Sequence, residues 1–292
     1  MKYEIDQKLC RLCKLCIEVC PCNILEETEL TEVRFISERL SICLECGQCM
    51  AVCSTEAIQI DDLKYGEDLV DLPGNEVDYN SFMDFLANRR SVRNYKDEPV
   101  PDELLDKVLE SVSYAPFGSA PEKIHITVVN NREIIENALP HVEAFLEKIP
   151  PWMDNPIASR MIKRKNSAEK FQTIKEHLYP IAKMGNYQLK YGDRITRHAP
   201  ALIILHAEKD AEEHSNNSLI FACYMMLAAH SLGLGASLIG LVPPAINKVD
   251  VLKDIFKIPR DHESVISLIL GYPKFKYKRA IRRQKANVEW LV

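Results

Sequence analysis

Several familiar signals are missing from this 292-residue chain. No G-x-G-x-x-G opens a helix after a strand pattern and no P-loop is present, which removes the dinucleotide and nucleoside-triphosphate fingerprints. Basic residues are not in excess: 37 Lys and Arg face 42 Asp and Glu, a formal net charge of −5, so nothing suggests a nucleic-acid surface. No basic, apolar leader with a cleavage site opens the chain, since residues 1–9 are polar and mixed in charge. From Ser215 to Asn247 there is no Lys, Arg, Asp or Glu, a length that could span a bilayer. Asn216, Asn217, His230, Gly233, Gly235, Gly240 and the pair Pro243–Pro244 interrupt it. It therefore reads as a buried helix over about 218–232, stopped by Gly233 or Gly235, then a short strand over 236–242, with no membrane span. No Ser/His/Asp or Cys/His nucleophilic set stands out. His125, His198 and His230 stand apart and read as structural, so no side chain is assigned a catalytic role.

What is abundant is cysteine in a pattern. Eight of the ten cysteines form two runs, Cys10, Cys13, Cys16, Cys20 and Cys43, Cys46, Cys49, Cys53. Both read C-x2-C-x2-C-x3-C, and Pro21 follows the first. Zinc sites need two separated ligand pairs rather than two runs of four. A disulfide framework suits a small secreted domain, which this long chain is not. The spacing resembles the bacterial ferredoxin run, in which three cysteines hold one 4Fe–4S cluster and the fourth ligates the other. That resemblance implies one cluster on Cys10, Cys13, Cys16 and Cys53, and a second on Cys43, Cys46, Cys49 and Cys20.

Laying CRLCKLCIEVCPCNIL over CLECGQCMAVCSTEAI aligns all four cysteines and Val19 with Val52, an internal repeat. It is similar to the pseudo-twofold two-cluster ferredoxin domain and covers residues 1–62. Ser54 stands where a second proline is common, and Leu15 where a glycine is frequent. Residues 23–42 are longer than a minimal ferredoxin needs and predict an inserted hairpin or helix. Cys22 reads as a free thiol and Cys223 as a small buried core residue. The 1–62 segment holds twelve acidic against six basic residues, an acidic head able to steer a basic electron donor. Reduced thiolates with clusters point to the cytoplasm.

Residues 63–78 are acidic and turn-rich, as a linker should be. Beyond them, SFMDFLANRRSVRNY predicts a helix ending in a basic turn, and PDELLDKVLESVSYA an amphipathic helix. IHITVV, APALIILH and SVISLILGYP are β-rich. This mixture predicts an α+β or α/β second domain over 79–292. Residues 140–198 are helical, charged and proline-broken. The 140–192 part is expected to form a substrate lid or a helical dimer arm, with Trp152 on it. Arg89, Arg90, Ser91 and Arg93 place three guanidinium forks and a hydroxyl within five residues, a set suited to phosphate.

These stretches, in this order, resemble the nitroreductase family of FMN enzymes. FLANRRSVRNY looks like its phosphate-binding opening, and SYAPFGSAPEKIHITVV like its second segment. HAPALIIL, SLIFACYMMLAAHSLGLGASLIG and LILGYPKFKYKR complete the set. The resemblance implies a ferredoxin domain fused to an α+β sandwich that dimerises with FMN at each interface. Arg89, Arg90, Ser91 and Arg93 would bind the phosphate and ribityl chain. Pro116, Phe117 and Gly118 would reach the flavin from the other subunit. Ile239, Gly240 and Leu241 would turn backbone N–H groups toward it, and Arg282 and Arg283 would add charge at the phosphate. Ala120, Glu122, Lys123 and Ile124 depart from the family's usual residues, which affects contacts to the flavin and the substrate preference.

The joined halves predict an oxidoreductase. An external donor, reduced ferredoxin or NAD(P)H, would supply electrons through the clusters to FMN for a small conjugated acceptor such as a nitroaromatic or quinone. Two alternatives stay open: an electron-transfer protein that docks a redox partner, and a specialised flavin reaction such as reductive dehalogenation on the same fold.

Overall fold

The computed structural model describes residues 3–60, 63–74, 76–118, 121–283 and 287–291. The expected domain end at Asp62 and the departure at Ala120 lie outside the described residues. The chain divides into two compact units, residues 1–77 and 78–292.

The first unit is small and held by short elements. Strand β1 (Tyr3–Ile5) pairs antiparallel with β4 (Ile58–Ile60), and β2 (Leu25–Glu27) forms a hairpin with β3 (Val33–Phe35). A 3-10 turn over Ser37–Ile42 follows, so the 23–42 segment holds a hairpin and a helical turn together. Helix α1 (Leu15–Val19) carries Cys16, and α2 (Gln48–Ala51) carries Cys49. Ile24, Leu25, Val33, Met50, Ile58 and Ile60 are buried around those two cysteines. Such a core is slight, and below about 70–80 residues small scaffolds usually need an added staple.

The sequence repeat is also a backbone repeat. Leu12 and Glu45 (φ 55° and 49°), Lys14 and Gly47 (φ 62° and 69°), and Asn23 and Glu56 (φ 48° and 53°) are left-handed at matching places in the two halves. Lys14, not Leu15, therefore stands where the other half has glycine. A non-glycine residue held left-handed costs about 1 kcal/mol.

The second unit is a sheet covered by helices on both faces. β5 (Ile124–Val129), β6 (Ala201–Glu208), β7 (Gly235–Ile239) and β8 (His262–Gly271) lie in the order β5-β6-β8-β7, all antiparallel. The helices are α3 (Tyr79–Asn88), α4 (Asp102–Glu110), α5 (Arg132–Glu147), α6 (Ile149–Asp154), α7 (Pro156–Lys165), α8 (Ala168–Thr173), α9 (Tyr179–Met184), α10 (His214–Ser231), α11 (Val242–Ile246) and α12 (Asp250–Phe256). β6 reads ALIILHAE without alternation because both of its faces are covered. Leu202, Ile204 and Ile269 pack with residues of α5, α11 and α12, whereas Ala201, Ile203, Leu205, Leu268 and Leu270 pack with residues of α4 and α10. The α+β sandwich expected from the resemblance is what forms.

Three details differ from the sequence reading. The central helix starts at His214 rather than near 218, and its strand ends at Ile239 because Val242–Ile246 turns helical. Cys223 is exposed on α10, since an apolar run does not say which helix face is covered. Pro140 sits inside α5, whose Leu139, Val142, Phe145 and Leu146 are core. The expected 140–192 insertion thus begins in a structural helix. Only beyond Glu147 does the chain expose Trp152, Ile157, Met161 and Met184.

Candidate functional site

In the first unit the two cysteine runs open onto two cavities. One is lined by Cys10, Cys13, Cys16 and Cys53, with Ile5, Val33 and Ile58 among the apolar walls, and holds about 250 Å³. The other is lined by Cys20, Cys43, Cys46 and Cys49, with Pro21, Cys22 and Leu44 crowding it to about 20 Å³. Each cavity takes three cysteines from one run and the last cysteine of the other. Among the described residues no three His, Cys, Asp or Glu side chains close on a single-ion site.

The sulfurs differ in their surroundings. Burial pushes the Cys49 thiol up to about 12, and neighbouring Cys20, Cys43 and Cys46 add to the rise. Burial also raises Cys16, with Cys10 and Cys13 contributing. Burial works the same way on Cys53, but backbone N–H groups of Thr55, Ala57 and Ile58 and the Thr55 hydroxyl outweigh it, and the thiol falls below its ordinary value. Ala57 N donates to Cys53 Sγ and Glu45 N to Cys43 Sγ, each at 3.4 Å. Donors of this kind favour an anionic sulfur.

In the second unit, Asp78 caps α3 by accepting from Asn80 N and Ser81 N at 3.0 and 3.1 Å, and the helix runs until Arg89 turns extended. The chain then lies along β7: Val92 N donates to Ala236 O at 3.1 Å, and Ser91 bridges Ala236. Gly235 makes this approach possible, since a Cβ there would meet Val92 at 2.6 Å. Buried Tyr95 donates its hydroxyl to Val92 O at 2.6 Å. Residues 94–96 exchange backbone bonds with 272–274. That contact turns the C-terminal stretch back, and the Arg90 guanidinium lies 5.3 Å from the centre of the Tyr277 ring. Arg90 Nε is buried with no hydrogen-bond partner. A buried N–H without an acceptor is costly, and an anion beside it would remove that cost. Among the described residues, no ion pair neutralises Arg89, Arg90 or Arg93.

The other predicted residues separate into groups. Ile239 closes β7, where Ser267 Oγ donates to its carbonyl at 2.9 Å. Gly240 follows, exposed, with open space where a Cβ would stand, and Leu241 precedes α11. These residues share β7 with the Ser91 bridge. Pro116, Phe117 and Gly118 do not join them. Gly118 N donates to Asn217 Oδ1 at 2.8 Å, near the start of α10. Arg89 is at the other end, where its charge and, more strongly, burial lower the pKa of His230, whose ring packs 4.9 Å from Phe85. Asn217 and His230 are thirteen residues apart on one helix, about 20 Å at 1.5 Å per residue. Arg282 and Arg283 are exposed, and among the described residues no hydrogen bond or ion pair joins them to Arg89–Arg93.

Two groups escaped the sequence reading. His125 is not isolated: its ring centre is 5.6 Å from that of His206 and 4.7 Å from that of His262, and His206 Nδ1 is 2.8 Å from His262 Nδ1. Burial first, then His262, His125 and Lys253, push His206 down to about 4. Strand register makes His125 and His206 cross-strand partners, and no local pattern announces that. Arg194 and Arg197 are the second group. Burial first, then the charges of Arg194 and Arg93, depress the Arg197 pKa, with Asp193 opposing them. The signal available in sequence was a second dense set, DRITRH.

A nitroreductase family model matches residues 86–272. A protein of Methanothermobacter thermautotrophicus named as an NADH dehydrogenase/NAD(P)H nitroreductase is 29% identical over 196 residues, 65% of this chain and 76% of that one. Iodotyrosine deiodinase of Hydra vulgaris is 26% identical over 205 residues, 66% of this chain and 65% of its own. A nitroreductase of Bacteroides fragilis, solved with bound FMN, shares the fold at TM-score 0.51 and 22% identity, covering 72% of this chain and 97% of that structure. One of Desulfitobacterium hafniense, also with FMN, does so at 0.52 and 20%, with the same coverage.

Proposed function

The chain belongs to the nitroreductase family, and from that premise we propose that it is an FMN- and iron–sulfur-dependent oxidoreductase that reduces a small conjugated acceptor such as a nitroaromatic or quinone. The observation that carries the reading is the mixed lining of the two cavities, three cysteines from one run and one from the other in each case. That crossing is the ligation a two-cluster ferredoxin uses. When bound, two 4Fe–4S clusters and FMN supply single-electron relay and two-electron delivery to the acceptor.

The chain's own residues supply position and charge. Cys10, Cys13, Cys16 and Cys53 hold one cluster, and Cys43, Cys46, Cys49 and Cys20 the other. The N–H and hydroxyl donors at Cys53 favour the charged ligand. Arg89, Arg90, Ser91 and Arg93 take the FMN phosphate, which gives buried Arg90 Nε its missing acceptor. Gly240 leaves room for backbone to approach the ring. Pro116–Gly118 lies by Asn217 and Arg89 by His230, positions about 20 Å apart along α10, so the two turns of one chain stand well apart. That supports a homodimer in which each flavin meets both subunits. The exposed Leu219 and Cys223 of α10 give such a partner an apolar helix face.

The test is an oxygen-free preparation assayed with reduced ferredoxin, NADH and a panel of nitro, quinone and halogenated aromatic acceptors. About eight irons and about one FMN per chain are expected. Four irons or fewer would remove the second cluster. Full flavin bleaching by NADH, with cysteine variants keeping all activity, would remove the relay. The deiodinase relative favours reductive dehalogenation as the second reading, and turnover confined to the halogenated acceptors would select it.

A further inference from the structure

We propose that Arg197, presented with Arg194 on a strained turn, is a further binding residue for the flavin's phosphate monoester, completing the anion site begun by Arg90 and Arg93. The inference rests on the FMN reading and adds two residues to its site.

Three observations carry it. First, the turn is held rigidly and at a cost. Arg197 and His198 are consecutive left-handed non-glycine residues, φ 62° and 54°. Strain of this kind persists only where the surroundings over-determine it. Here the surroundings are buried Asp193, whose carboxylate accepts from Ile195 N at 2.9 Å, Thr196 N at 2.7 Å, His198 N at 2.8 Å and the Thr196 hydroxyl. His198 Nε2 in turn accepts from Asp193 N at 3.2 Å.

Second, the turn brings charge that no ion pair neutralises. The Asp193 carboxylate spends its hydrogen bonds inside the turn and offsets the Arg197 charge only as the last of the influences on it. Among the described residues no carboxylate forms an ion pair with Arg93, Arg194 or Arg197. Arg197 is half-buried nonetheless, and its lowered pKa reflects that burial and then the like charges of Arg194 and Arg93. A half-buried guanidinium beside like charges gains from an anion that offsets the repulsion.

Third, the turn converges on the same corner as the arginine segment. Pro200, two residues beyond the strained pair, and Tyr95, two beyond Arg93, would meet a Cβ on Gly271 at 2.6 and 2.8 Å. Residues 272–274 bond to 94–96 there, and the chain then continues to Tyr277 against Arg90. One phosphate, with a charge near −1.5 to −2, matches such a set of forks.

The experiment titrates FMN and riboflavin into the flavin-stripped full-length protein, with inorganic phosphate as competitor. Arg197→Gln should weaken FMN about tenfold and leave riboflavin within about twofold. It should also blunt competition by phosphate. Arg197→Gly separates binding from folding. Glycine relieves the left-handed strain, so melting temperature should hold or rise while FMN affinity falls as for Gln. Either variant binding FMN as the parent does, or losing both flavins equally, would overturn the inference alone. A parent protein that binds neither flavin would overturn the FMN reading and this inference with it.

Discussion

The two units of this chain build their sites in opposite ways. In residues 1–77 every proposed ligand comes from two short runs, and the repeat appears again as three matched pairs of left-handed residues. In residues 78–292 the charged corner is gathered from residues 89–93, 193–200 and 272–277, which are far apart in sequence and meet only through the sheet. The first unit has a slight core around Cys16 and Cys49. The second has a double-faced core around β6 and β8. Local spacing suffices where a compact cofactor organises the chain. A packed scaffold is needed where the ligand is long and must be met from several directions.

A crossed pair of variants tests whether the two sites are independent. Cys49→Ala should empty one cluster site, roughly halving the iron, and lower the stability of the first unit while FMN stays bound. Arg90→Ala should do the converse, cutting FMN affinity by about ten- to a hundredfold with iron unchanged. Iron analysis and flavin titration on both proteins decide it, and a shared loss of both cofactors would refute independent units.

A smaller effect tests the scaffold. Gly235→Ala forces a Cβ to 2.6 Å from Val92, and overpacking of this kind costs about 1–3 kcal/mol. Flavin affinity should fall with it, because Val92 anchors the arginine turn. Thermal melting with flavin titration reads both.

The histidine cluster gives a pH signature to the second unit. His206 is neutral in the fold with a pKa about 4, against about 6.5 unfolded. The unfolded chain therefore binds the proton first. The contribution of His206 is complete above about pH 6.5 and is lost as pH falls toward 4, at most about 1.4 kcal/mol per pH unit. Urea midpoints across pH 7 to 4 should decline in the parent and flatten in His206→Phe. Equal slopes would exclude this origin.

The smallest effect returns to the repeat. Lys14→Gly should stabilise the first unit by about 0.5–1 kcal/mol by relieving its left-handed backbone. Loss of the exposed ion pair to Glu27 (2.7 Å) offsets little of this, because surface pairs contribute weakly. Glycine exchanged for Lys at Gly47 should do the reverse. Urea midpoints of the two variants check the pair.

Sequence reading went furthest where chemistry repeats at short range. The cysteine runs, the extended β6 and the helix ending at Arg89 were all visible in local pattern. It failed where partner choice is non-local. Cys223 lies in an apolar run but on the exposed face of α10. Pro140 suggested a break, yet α5 absorbs it because neighbouring side chains fill the core. His206 and His262 join His125 only through antiparallel register. Pro200 and Tyr95, far apart in sequence, meet only at Gly271.

Local pattern along the chain dictates that two cysteine runs are equivalent, that an arginine turn follows a helix, and that apolar strands lie beyond it. These are matters of spacing and periodicity, which act between neighbours along the chain. Folding brings Cys53 to the first cavity and Cys20 to the second, the crossing that the ferredoxin resemblance implies. It also sets the arginine turn and the Pro116–Gly118 turn at opposite ends of α10 and, among the described residues, leaves Arg90, Arg93 and Arg197 without an ion pair. Those facts depend on where the chain returns in space, and packing around β6, β8 and Gly271 sets that return.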